Sequence, residues 1–151
     1  MMPPPRRPLP RPARGLTLIE LVIAMVVIAV LVAIGMASFT WAVAASRRTD
    51  AKNALLDLAA REERYYAANN QYTNSPTSLG YVANAWPAAV PGSGTQTYSL
   101  SVTAAGATSF TAQAVRTAGG PQANDTCGDY AINDQGVQSN ANNTQATAQC
   151  W

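Results

Sequence analysis

Between Arg14 and Arg47 lie 32 residues, and Glu20 is the only charged one among them. At 151 residues the chain has room for one globular domain and one membrane segment. Residues 21–45 carry no charge and as a helix extend about 37 Å, enough to span a bilayer with some tilt. A lone carboxylate at one end of such a span is costly and calls for a partner or a function.

The segment before the span has a different character. Residues 1–15 hold Arg6, Arg7, Arg11 and Arg14, no acid, and six prolines, which rule out a helix and leave a basic tag. Without that tag the chain has six Lys/Arg against eight Asp/Glu, so the formal net charge of +2 belongs to the leader. A basic field that attracts nucleic acid is absent from the remainder. An ordinary secretory signal places its apolar region before the cut. Here the apolar region begins after the bond between Gly15 and Leu16, so a cut there keeps the helix in the product. Four arginines precede the span, while Arg47, Arg48 and Lys52 follow it with Asp50 among them. This asymmetry places the leader in the cytoplasm and the C-terminal part outside.

The cysteines fit an exported domain. Cys127 and Cys150 stand 23 positions apart in a chain without histidine, a poor zinc set but a reasonable loop staple in an oxidising compartment. Two unlinked buried thiols are the alternative.

Past the span, residues 46–70 contain neither glycine nor proline. Ala51, Leu55, Leu58, Ala59, Glu62, Tyr65 and Tyr66 recur at helical spacing, and Asp57 and Arg61 form an i,i+4 pair. One helix of about 80 Å from Thr17 to Asn69 is expected, closed by Asn69 and Asn70. Residues 71–95, with three prolines and three glycines, read as a packed loop. Alternation then marks strands at Tyr98, Leu100 and Val102, and at Phe110, Ala112 and Ala114. A third strand is expected at Asp129, Tyr130, Ala131 and Ile132, and a short fourth around Val137 after the Gly136 turn. Residues 138–149 are too polar to fold alone, so the staple is expected to hold them. The fold class is α+β: a long helix packed on a small antiparallel sheet of about four strands.

The run Gly15-Leu16-Thr17-Leu18-Ile19-Glu20, after a basic leader and before the apolar span, resembles the processing site of type IV prepilins. The stretch from Leu55 to Tyr66, Tyr72-Thr73, Thr126-Cys127-Gly128 and the final Cys150-Trp151 are similar to PilE-type minor pilins. The resemblance implies a leader (1–15) cleaved after Gly15, methylation of the new terminus at Leu16, a membrane and filament-core helix (16–45) and a globular pilin domain (46–151). It implies that Glu20 serves assembly by pairing with the Leu16 ammonium of a neighbour. The implied partners are a prepilin peptidase, other major and minor pilins, and the inner-membrane assembly platform. The implied location is the inner membrane, then a pilus at the cell surface. Leu16 departs from the family's usual phenylalanine, and Gly35 stands where many pilins have a mid-helix proline.

Other constellations have plainer explanations. Thr17-x-x-Glu20 fits a capping box, a structural alternative to the assembly role. Arg61, Glu62, Glu63 and Arg64 point in different directions on a helix and read as a solvated face rather than a catalytic pair. Asp125, Asp129 and Asp134 lack calcium-loop spacing and read as surface aspartates. Tyr65, Tyr66, Tyr72, Trp86 and Trp151 suit base stacking, yet Arg116 is the only basic residue after Arg64, so core packing is expected. No nucleophile–base pair, phosphate loop or metal cluster emerges; a non-enzymatic subunit without cofactor is expected, with nucleic acid not among its partners. The expected function is a minor structural subunit of a bacterial type IV pilus. A type II secretion pseudopilin and a DNA-receptor pilin are the alternatives.

Overall fold

The computed structural model describes residues 15, 17–92 and 94–151, apart from the side chains at 37 and 38. The leader up to Arg14, and Leu16, lie outside the described residues. The chain divides into two compact units, Met1–Phe39 and Thr40–Trp151. Helix α1, Leu18–Asn69, begins in the first and ends in the second.

In the first unit α1 starts one residue after Thr17, whose Oγ1 accepts the Glu20 amide at 3.3 Å. Its apolar window has a mean hydropathy of 3.0 and is wholly unburied, with Leu18, Met25, Leu31 and Ile34 all exposed. A helix that is apolar all round and uncovered by its own chain needs lipid or other helices about it. It passes Gly35 without a break.

In the second unit α1 buries the stripe Ala51, Leu55, Leu58 and Glu62. It ends where Asn70 turns left-handed (φ 55°) and donates its amide to the Tyr66 carbonyl at 2.7 Å. Asparagine tolerates that conformation better than most residues, which makes it an effective stop.

Five antiparallel strands follow in sequential order: β1 Ala88–Val90, β2 Tyr98–Ala105, β3 Phe110–Arg116, β4 Asp129–Asn133 and β5 Gln138–Ala141. A four-residue helix, α2 (Thr147–Cys150), comes last. The alternation holds: Tyr98, Leu100, Val102, Phe110, Ala112 and Ala114 are buried, and Leu100 pairs with Ala114. These join Leu55, Leu58, Tyr130 and Ile132 in one core.

Two expectations change. The sheet has five strands rather than four, because β1 falls inside the stretch read as loop. Three residues between Pro87 and Pro91 are too few to display a period of two, and prolines suit an edge strand. The last strand begins at Gln138, leaving Val137 exposed in the turn.

Candidate functional site

At the N-terminal end, Gly15, Thr17 and Glu20 are the described residues of the stretch expected to serve processing and assembly. Among the described residues, nothing lies within 4 Å of where a side chain on Gly15 would project. Glu20 is exposed in the first turn of α1, near the positive end of the helix dipole. Its main-chain amide satisfies half of the capping-box pattern through Thr17, while the carboxylate stands at the start of a helical stretch that is otherwise uncharged as far as Ser46.

At the other end of the chain the structure brings Cys127 and Cys150 together as a disulfide, with their Cα atoms 5.5 Å apart. Cys127 is fully buried, and Tyr130 meets Tyr98 and Trp151 edge-on beside it in the core. A set of polar contacts, most of them partly buried, surrounds this staple. Arg48 on α1 pairs with Asp125 at 2.9 Å, and Asp125 also accepts the Cys127 amide at 2.8 Å and Gln122 Nε2 at 2.9 Å. Lys52 Nζ donates to the Cys150 carbonyl at 3.1 Å. Arg116 pairs with Asp129 at 3.1 Å and donates to the carbonyls of Ala123, Asp125 and Asn142. Asn142 Nδ2 donates to Asp129 at 2.7 Å, and Trp151 Nε1 to the Ser139 carbonyl at 3.1 Å. Burial alone raises the Asp129 carboxyl, but the Arg116 amide, Asn142 and the Arg116 guanidinium outweigh it and hold it below the usual range.

Asp125 and Asp129 are therefore not surface aspartates. Both carboxylates are buried because each satisfies main-chain amides and an arginine that tie distant segments together. Arg48 reaches Asp125 across 77 residues, so no local spacing announces the pair. Among the described residues no group of His, Cys, Asp and Glu is arranged to hold a metal.

The disulfide shares its task with these clamps, and that shapes the response to reduction. A loop of this length contributes roughly 3 kcal/mol in the chain-entropy account. Reduction is expected to raise amide hydrogen exchange chiefly in residues 128–149, with residues 51–69 of α1 little changed. Equal loosening of the helix would contradict this.

The helix end holds a second polar feature. Glu62 is fully buried, contrary to the expectation of a solvated charged face, because it lies four residues after Leu58 on the packed stripe. Its Oε2 accepts the Thr73 amide at 3.1 Å and fastens the loop entry, while Oε1 has no hydrogen-bond partner among the described residues. Burial raises the Glu62 carboxyl above the usual range despite the Thr73 bond, and Glu63 adds to the rise. The folded state thus favours the protonated acid. Its contribution is full below the unfolded glutamate range and is lost as pH rises through the folded value. Asp129 acts in the opposite sense, losing stability as pH falls. The difference between Glu62→Gln and the parent isolates Glu62. The variant is expected to gain stability relative to the parent as pH rises from about 4 to 7, read by thermal unfolding; a pH-independent difference would contradict the assignment.

The aromatic residues belong to the packing. Tyr65, Tyr72, Trp86 and Trp151 are half-buried against the core, and Tyr66 stacks on Tyr72 with centroids 4.6 Å apart. The cations are largely engaged as well. Arg48, Arg61 and Arg116 stand in ion pairs, and Lys52 is held on Cys150. Of the basic side chains in the second unit, Arg47 and Arg64 make no such contact with acids or the cystine segment among the described residues.

Comparison with known proteins completes the picture. Residues 37–131 match the family described as type IV minor pilin ComP, DNA uptake sequence receptor, and residues 10–36 match the prokaryotic N-terminal methylation motif. No curated protein matches the chain. Among solved structures it is similar to the non-core minor pilin PilV of Neisseria meningitidis, with 19% identity, 70% of this chain and 93% of that chain covered, and a TM-score of 0.50. A type IV pilin from Shewanella oneidensis is similar at 28% identity over 68% of this chain and 98% of that one, with a TM-score of 0.45.

Proposed function

The chain belongs to the type IV minor pilin family typified by ComP, and on that premise we propose that it is made as a prepilin, cut between Gly15 and Leu16 and methylated at Leu16. Residues 1–15 then form the leader, 16–45 the membrane and filament-core helix, and 46–151 the exposed domain. The observation that carries this reading is the methylation-motif match over residues 10–36, which begins in the basic leader and ends inside the uncovered apolar part of α1, where Glu20 is the only charge up to Ser46. A prepilin peptidase in the inner membrane, with the leader on the cytoplasmic side, performs the cut. The apolar helix holds the subunit in the membrane until the assembly platform delivers it among other pilins. Glu20 then pairs with the Leu16 ammonium of a neighbouring subunit. The role is structural, without catalysis by this chain.

Intact-mass measurement of the native protein tests the processing step. A chain of 136 residues beginning at methylated Leu16 is expected. A terminus at Met1 or Met2 would overturn it.

A second reading, a receptor for DNA, is favoured by the description of the matching family. Against it stands the engagement of Arg48, Lys52, Arg61 and Arg116 in the domain's own contacts. Binding to duplex DNA as a function of salt separates the two. A structural subunit shows little binding at physiological salt, whereas a receptor shows affinity falling steeply with salt through several phosphate contacts.

A further inference from the structure

β1 is the outermost strand of the sheet, and it pairs on one side only, with β2. An edge strand offers main-chain donors and acceptors to any extended segment that lies beside it. A groove of about 580 Å³ lies here between residues 50–57 of α1, the loop at 81–83 and β1. That volume is within the range of roughly 300–1,000 Å³ common for ligand sites. Its walls are mainly apolar, from Ala54, Tyr81, Val82, Ala89 and Leu100. Val82 is completely exposed at the edge of the groove among the described residues.

Two carboxylates, Asp50 and Asp57, line the groove. Asp57 is neutralised by Arg61 at 2.7 Å, and Arg61 also lies over the Tyr81 ring. Asp50, which lines the groove and is exposed, has no ion pair among the described residues. An occupant carrying a cation beside apolar side chains meets every wall of this groove with its complement. A short edge strand below supplies sequence-independent pairing.

We propose that this groove binds an extended peptide segment of another protein, one that alternates apolar and basic residues and adds to β1 as a further strand. The apolar side chains enter between Ala54 and Val82, and a lysine or arginine reaches Asp50. This partner is separate from the neighbouring helices of the filament, and the proposal stands whether or not the subunit binds DNA.

The test uses the full chain in zwitterionic detergent and a short synthetic peptide alternating valine and lysine, with a valine–glutamate peptide as control. The lysine peptide is expected to bind and to slow amide exchange in Ala88–Val90. The glutamate peptide is expected not to. Asp50→Asn should weaken binding about threefold, in keeping with an exposed ion pair. Val82→Lys, at a position too exposed to affect folding, should weaken it further. Equal binding of the two peptides, or binding without protection in Ala88–Val90, overturns the proposal. So does self-association of the chain that Val82→Lys abolishes while the peptide fails to bind, since a second copy is then the occupant.

Discussion

Glu20→Ala is expected to remove the protein from filaments while leaving its membrane insertion intact. Without the carboxylate, residues 16–45 have no charged side chain at all, so entry into lipid becomes easier. The helix start retains its bond from the Glu20 main-chain amide to Thr17 Oγ1, because that bond does not involve the side chain. On the proposed pairing with Leu16, what the substitution removes is the counter-charge for an ammonium that assembly buries in an apolar core. Stranding one member of a buried pair costs on the order of 3–5 kcal/mol, enough to reduce incorporation by two orders of magnitude or more. A role confined to capping predicts a loss of only about 1 kcal/mol and near-normal incorporation. Comparison of parent and variant in the sheared filament fraction, at equal membrane pools, separates these outcomes.

Gly128→Ala is expected to have the largest effect on folding. Gly128 follows the buried Cys127 and holds φ at 70°, a conformation that costs an L-residue about 1–2 kcal/mol. Space is the greater obstacle. A Cβ at this position collides with the Ala141 carbonyl oxygen and comes within 2.9 Å of main-chain atoms of Asn142 and Asn143. The obstructing atoms are backbone at the end of β5, held by Asn142 against Asp129, so they cannot simply turn aside. A loss of several kcal/mol, about 3 or more, is expected. Gly136 provides the control. It has the same φ of 70°, yet nothing lies within 4 Å of its Cβ position, so Gly136→Ala should cost only about 1–2 kcal/mol. Unfolding curves of both variants in one detergent measure the difference; equal losses would mean that conformation, and not collision, governs position 128.

The elements that sequence patterns reveal are those in which a single period persists. Leu55, Leu58 and the alternating residues of β2 and β3 stand where helical and strand periodicities put them, and Asn70 ends α1 as turn chemistry requires. β1 was hidden because three residues between prolines display no period. Glu62 shows the opposite difficulty. Its place on the stripe is legible, but its charge argues for solvent, and only the Thr73 amide from the following loop explains its burial. The clamp around the cystine is illegible for another reason. Arg48, Asp125, Arg116 and Asp129 gain their meaning from tertiary contacts, and isolated charges in a sequence look like surface. At the N-terminal site, the uncharged span, Gly15 and Glu20 are all legible in the sequence, because what matters there is the contrast between one charge and its apolar surroundings.

A subunit that becomes part of a pilus is found in the filaments themselves. Filaments sheared from the surface of native cells, freed of membranes and probed for this protein, should contain it at low abundance alongside a more plentiful pilin. The same fraction from cells unable to process prepilins should lack it. Persistence of the protein in the membranes alone, in cells whose filaments are otherwise intact, would contradict the account.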